Sequence, residues 1–184
     1  MVIPGFLAND RATKLLRRTL EKAGHRAFGW SFGFNGGARA DTLERLGERL
    51  DQVIAEAGAP VALVGWSLGG LFAREFAKQR AQDIDLVVTL GSPFSGDLRA
   101  NNAWRLYELV NDHKVDNPPI PIALDEKPPM RTVAMWSRRD GIVAPGSARG
   151  EEREADERIE LDCTHMGFVY DAKALRTILG VLRR

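Results

Sequence analysis

Ser67 stands in a setting suited to nucleophilic attack. It lies in Gly65-Trp66-Ser67-Leu68-Gly69-Gly70, after the apolar run Val61-Ala62-Leu63-Val64 and before a helical pattern from Leu68 to Arg80. A serine on a tight strand-to-helix turn is held in a strained backbone conformation that lifts its hydroxyl above the sheet. The residues two before and two after it press against neighbouring backbone, and Gly65 and Gly69 supply the small side chains that this demands. The Leu68 amide opens the helix, where the helix dipole favours a developing oxyanion. The bland alternative is a glycine-rich turn whose serine only caps the helix.

A serine hydroxyl is a poor nucleophile until a base takes its proton and a carboxylate orients that base. The chain has three histidines, His25, His113 and His165. His25 begins an early strand-like stretch, and His113 lies in the polar tail of an insertion. His165, in Asp162-Cys163-Thr164-His165-Met166-Gly167, follows the last strand-like run and precedes the final helix. Asp140, in Trp136-Ser137-Arg138-Arg139-Asp140-Gly141, follows the preceding strand and is the candidate acid. Asp162 is the alternative acid, but it sits only three residues from the histidine. In a parallel sheet the loops after successive strands share one edge, so Ser67, Asp140 and His165 can meet there.

The elements that must position these residues alternate strand and helix. Val2-Ile3 reads as a strand end, and Asn9-Asp10 offer caps for a helix bearing Ala12, Leu15, Leu16, Thr19 and Ala23, closed by Gly24. His25 to Phe32 is strand-like. Asp41 with Glu44 resembles a capping box for a helix carrying Leu43, Leu46, Leu50, Val53, Ile54 and Ala57, ended by Gly58. The continuously apolar run 61–64 reads as a strand buried on both faces and 86–90 as another buried strand, joined by strands at 131–136 and 158–161. Asp171 caps a last helix with Leu175, Ile178, Leu179 and Leu182. This alternation predicts an α/β fold with a mostly parallel central sheet and helices on both faces.

Two stretches break the rhythm. Phe94 to Pro129 holds one amphipathic segment (Trp104, Tyr107, Val110) and five of the nine prolines. It leaves and rejoins the sheet at the active edge, so it reads as a lid or cap whose apolar underside, with Ile120, selects substrate. Gly150 to Glu157 is a solvated charged face. Trp30, Phe32, Phe34 and Trp66 cluster near the active edge, some as acyl-pocket lining and some as plain core. Ser92 is a further candidate substrate contact. Cys163, the sole cysteine, reads as inert packing.

On the elbow, Pro4-Gly5-Phe6-Leu7, Leu90-Gly91-Ser92-Pro93, Asp140 and His165, in the chain order Ser67, Asp140, His165, the sequence resembles the α/β-hydrolase superfamily, in particular its esterase and lipase-like members. The resemblance spans nearly the whole of residues 1–184 as a single domain, with 94–129 as the insertion. It implies that a loop after an early strand supplies the second oxyanion-hole amide. Where that family commonly reads His-Gly, this chain has Pro4-Gly5-Phe6-Leu7, so the donor is the Phe6 or the Leu7 amide. The family's first strands are absent or reduced, marking a small or truncated member.

The reading that follows is a serine hydrolase cleaving a small-molecule ester with an apolar acyl group through an acyl-enzyme, with no metal or organic cofactor. Two alternatives keep the fold: an acyltransferase using the same triad, and a non-catalytic ligand-binding module. Composition narrows the field further. The 184 residues carry 26 Lys plus Arg against 25 Asp plus Glu, so no polyanion bias points to nucleic acid. One cysteine excludes an internal disulfide framework and three histidines argue against a metal cluster. The absence of a leader pattern or a membrane-length apolar run points to the cytoplasm. The residues are silent on oligomeric state.

Overall fold

The computed structural model describes residues 1–99, 101–123 and 126–183. Five strands form one sheet, β1 (Val2–Ile3), β2 (Val61–Trp66), β3 (Ile84–Leu90), β4 (Arg131–Trp136) and β5 (Glu157–Glu160), lying side by side in chain order. Every pairing is parallel, with Val2 opposite Val64, Val64 opposite Val88, Val88 opposite Val133, and Val133 opposite Glu157. The carboxyl ends of all five strands therefore face one edge, where the connecting loops gather.

Seven helices are described: α1 (Lys14–Lys22), α2 (Thr42–Ala57), α3 (Leu68–Gln79), α4 (Trp104–Val110), α5 (Pro145–Arg149), α6 (Gly167–Tyr170) and α7 (Ala172–Leu182). Alternation along the strands divides the core between two faces. Val2, Val64, Trp66, Val88, Leu90, Val133 and Met135 pack with Leu16 and Leu20 of α1, Phe168 of α6 and Ile178 of α7. Ile3, Leu63 and Val87 pack on the other face with Leu46, Leu50 and Val53 of α2 and with Phe72 and Phe76 of α3. A smaller cluster joins Ala134 to Leu71, Phe94, Leu98 and Ala155, seating the start of the 94–129 insertion against the sheet.

Local stops follow the chemistry of their residues. Gly58 ends α2 in the left-handed region at φ 73°, and the Asp171 carboxylate caps α7 by accepting from the Lys173 and Ala174 amides. Other expectations change. Residues 25–32 form no strand but a single parallel bridge, Gly29 to Val2. The cause is Asp10, whose carboxylate accepts from the Trp30 and Ser31 amides at 3.1 and 3.0 Å and draws the segment off the ladder. Asn9 and Asp10 do not cap α1. Thr13 occupies that position, and Asn9 accepts from Arg11 in the turn before. The capping box at Asp41 is absent, because its backbone (φ −88°, ψ 1°) is not extended and its carboxylate turns toward Arg45. The last strand spans 157–160, one residue earlier than expected.

The outer edge at β5 is charged. Glu157 pairs with Arg131 at 2.5 Å, Glu160 with Arg138 at 2.8 Å, and Arg158 with Glu152 at 3.1 Å. Among the described residues, no helix is long and apolar enough to cross a membrane.

Candidate active site

Ser67 sits between β2 and α3 with φ 54° and ψ −124°, a conformation that non-glycine residues rarely adopt and that costs roughly 1–3 kcal/mol. The strain is held by close packing on both sides. A methyl group on Gly65 would lie 2.4 Å from the Gly69 carbonyl oxygen, and one on Gly69 would lie 2.4 Å from the Ile3 carbonyl oxygen. The Ser67 amide donates to the Leu90 carbonyl at 2.9 Å, locking the turn onto the end of β3.

The loop after β4 and the loop after β5 bring Asp140 and His165 together. His165 Nδ1 lies 2.9 and 2.8 Å from the two Asp140 carboxylate oxygens, and both residues are buried. Asp140 Oδ1 also accepts from the Ile142 and Val143 amides at 2.9 and 2.7 Å. The two loops are braced further. Ser137 Oγ donates to the Cys163 carbonyl at 2.6 Å, and the His165 amide donates to the Asp140 carbonyl at 2.9 Å. The Trp66 indole N–H donates to the His165 carbonyl at 3.1 Å, with the two rings 5.6 Å apart. His165 is thereby docked on the residue immediately preceding Ser67. Ser67 Oγ itself makes no hydrogen bond to His165 or to another described residue, as is common before substrate binds. Asp162 is displaced outward to an exposed pair with Arg139 at 3.2 Å.

The Pro4–Ala8 turn runs beside the elbow, so close that a methyl group on Gly5 would lie 3.1 Å from Ser67 Cβ. The two candidate donors of that turn differ. The Leu7 amide is consumed by the Asn35 carbonyl at 2.7 Å, whereas the Phe6 amide meets no acceptor among the described residues. The Leu68 amide, first in α3, has no partner within its own helix. Among the described residues the Phe6 and Leu68 amides, on either side of Ser67, thus meet no acceptor, whereas the Leu7 amide is engaged.

A narrow apolar cleft with about 50 Å³ of free interior opens above Ser67. Its walls include Phe6 and Leu68, Ile142 and Val143 from the acid loop, and Leu98, Trp104, Tyr107 and Val115 from the insertion. Trp104 and Tyr107 thus both line the cleft. Residues 100, 124 and 125 of the insertion lie outside the described residues. Three other candidates do not line this cleft. Phe34 is 69% exposed and borders a separate hollow with Trp30, Phe32, Arg39 and Arg45. Ser92 is fully buried with its hydroxyl 3.5 Å from the Gly65 carbonyl, so it supports the elbow from beneath. Trp66 is buried under the histidine loop.

Cys163 is buried, and burial pushes its thiol up to about 11, the carboxylates of Asp171, Asp140 and Asp162 adding to the effect. Several residues escaped the sequence reading. Leu98 and Val115 looked like ordinary insertion residues. Asn35, inside a glycine-rich loop, gave no signal beyond its turn-forming type.

No protein-family model and no curated protein sequence matches this chain. Solved structures do. A mature lipase from Bacillus licheniformis superposes with a TM-score of 0.74 at 15% identity, over 98% of this chain and 90% of that one. A methylesterase from Arabidopsis gives 0.66 at 13% identity, over 99% and 97%. A gene product of Listeria innocua gives 0.67 at 17% identity, over 100% and 92%. The parallel sheet, the strand-to-helix serine turn and these superpositions agree on one architecture: the chain has the α/β-hydrolase fold.

Proposed function

We propose that this protein is a serine hydrolase that cleaves a small carboxylic ester with an apolar acyl group. The observation that carries the reading is the strained Ser67 at the floor of an apolar cleft, with a buried histidine–carboxylate pair docked on the residue before it. The names of the superposing lipase and methylesterase point the same way. In this reading His165 Nε2 takes the proton as Ser67 Oγ attacks the acyl carbon, forming a tetrahedral oxyanion. Asp140 holds the Nδ1 proton and so leaves Nε2 free as the base. The Phe6 and Leu68 amides receive the oxyanion. Collapse expels the alcohol, which takes the proton from His165, and leaves an acyl-Ser67 ester. Water then repeats the sequence and releases the acid. The insertion caps the cleft through Leu98, Trp104, Tyr107 and Val115, with Trp104 and Tyr107 against the acyl group.

The test is labelling by a fluorophosphonate together with turnover of p-nitrophenyl esters of graded acyl length. Ser67→Ala is expected to abolish both while the protein remains folded. Equal turnover in the variant and the parent refutes the reading, and an unlabelled parent favours a ligand-binding module instead.

A further inference from the structure

The Pro4–Ala8 turn leaves the Phe6 amide without an acceptor among the described residues beside Ser67, and a single residue from another loop, Asn35, bonds the turn on both sides of it. Asn35 is 1% exposed. Its Nδ2 donates to the Pro4 carbonyl at 2.8 Å, its carbonyl accepts from the Leu7 amide at 2.7 Å, and its own amide donates to the Ala8 carbonyl at 2.8 Å. Its Oδ1 accepts from the Gly37 amide at 3.3 Å, tying the side chain back to its own loop. These bonds bracket residues 4–8 on both sides and skip only the Gly5–Phe6 step that faces Ser67. Leu7, at φ 55°, is held in the left-handed region within this clamp.

The loop bearing Asn35 is itself seated on the insertion. The Ala38 amide donates to the Tyr107 hydroxyl at 3.1 Å, and Asn111 Nδ2 donates to the Gly36 carbonyl at 3.0 Å. The Tyr107 ring also packs on the Phe6 ring, with centroids 5.3 Å apart. The insertion, the Asn35 loop and the Pro4–Ala8 turn are therefore linked in one chain of contacts that ends beside Ser67.

We propose that Asn35 is the positioning residue of the oxyanion hole: its side-chain clamp on Pro4 fixes the turn so that the Phe6 amide stays unpaired and in place beside Ser67. The assignment rests on the serine-hydrolase reading. Asn35 does not touch the reacting atoms and acts only through Phe6. Loss of the clamp lets the turn drift, and a misplacement of about 1 Å at such a donor costs on the order of 10²-fold in rate.

The test compares the parent with Asn35→Asp, which keeps the shape but replaces the Nδ2 donor by an acceptor facing the Pro4 carbonyl, and with Asn35→Ser, which removes that repulsion and keeps a hydroxyl donor on a side chain one atom shorter. A trifluoromethyl ketone serves as the probe, because its serine adduct places an oxyanion in the hole. Asn35→Asp is expected to lower kcat for a p-nitrophenyl ester by about 10²-fold, with KM changed less than about threefold, and to raise the ketone Ki in parallel. Asn35→Ser is expected to recover part of both. A folded Asn35→Asp protein with kcat and Ki near the parent's overturns the proposal, as does a kcat loss with an unchanged Ki. If neither variant folds, amide NMR of the parent decides. Addition of the ketone is expected to shift the Phe6 and Leu68 amide protons downfield, and an unmoved Phe6 resonance overturns the assignment. Fluorophosphonate labelling of the parent separates failure of this proposal from failure of the hydrolase reading, since Ser67 labels whenever the latter holds.

Discussion

Asp140→Asn tests the candidate triad most sharply, because the structure dictates how the new amide must sit. Asp140 Oδ1 accepts from two amides, Ile142 and Val143, at 2.9 and 2.7 Å. In the asparagine variant the amide oxygen must stay there, so the amide nitrogen takes the other position, 2.8 Å from His165 Nδ1 in the parent. That nitrogen can only donate. His165 Nδ1 must then accept, its single proton moves to Nε2, and the ring can no longer take a proton from Ser67. Flipping the amide to restore the working tautomer would leave the Ile142 and Val143 amides facing an NH2 group. Each orphaned donor costs about 1–3 kcal/mol, so the pair costs about 2–6 kcal/mol. At 1.36 kcal/mol per decade, the competent tautomer falls by about 30-fold to about 10⁴-fold, and the same change in other serine triads lies near the upper end. The assay is kcat/KM on a short p-nitrophenyl ester, with circular dichroism to establish folding. Asp162→Asn is the control. That carboxylate is 67% exposed and, among the described residues, pairs with Arg139 alone, so about twofold or less is expected. A loss below about tenfold for Asp140→Asn, or a crippled Asp162→Asn, refutes the reasoning.

Trp104→Ala and Tyr107→Ala, in the cleft wall, are expected to change the ratio of kcat/KM for long over short acyl esters, since each pocket methylene is worth ~1–3 kcal/mol, while acetate esters still turn over; identical chain-length profiles in both variants would remove these residues from the acyl site. Gly69→Ala would place a methyl group 2.4 Å from the Ile3 carbonyl oxygen and 2.6 Å from that of Pro4. Neither is a flexible side-chain end, so a lower melting temperature corresponding to at least ~1–3 kcal/mol is expected, and an unchanged melting temperature would contradict the packing argument. Cys163, with its thiol raised from 9.0 to about 11, should be alkylated by iodoacetamide at pH 8 at least about 10²-fold more slowly in the native than in the unfolded protein, as mass spectrometry can follow.

The sheet was legible wherever one run of residues carried its own signal. The apolar runs within β2 and β3 and the one-sided stripe of α2 announce themselves, because burial on both faces or along one stripe leaves a period in the sequence. Residues 25–32 misled for the opposite reason. Their aromatic, strand-like composition is local, but their path is set by a carboxylate at Asp10 that no periodicity reveals. The candidate site residues could be named through motif and order, His165 and Asp140 from the positions of the last two strands, and the two lie within hydrogen-bond distance of each other. The Phe6–Leu7 ambiguity could not be resolved from sequence. It turns on which amide Asn35 consumes, a contact between residues 28 positions apart along the chain. Ser92 and Phe34 do not line the cleft above Ser67, because lying near the right edge does not fix which way a side chain points. Ser92 points down into the elbow, and Phe34 points out beyond the cleft.

The charged outer strand also decides where the sheet stops. A β5 edge free to hydrogen-bond would offer a template on which a second molecule could lay its own strand and extend the sheet from chain to chain. Here three of the four strand residues, Glu157, Arg158 and Glu160, are engaged in ion pairs, and Ile159 alone is apolar. An incoming strand would have to strip or bury those charges, which costs far more than the exposed pairs themselves are worth. The opposite edge is shielded by different means: β1 is two residues long and is flanked at once by the Gly29 bridge. The five-stranded sheet is therefore bounded on both sides against intermolecular growth, by charge at one border and by brevity at the other.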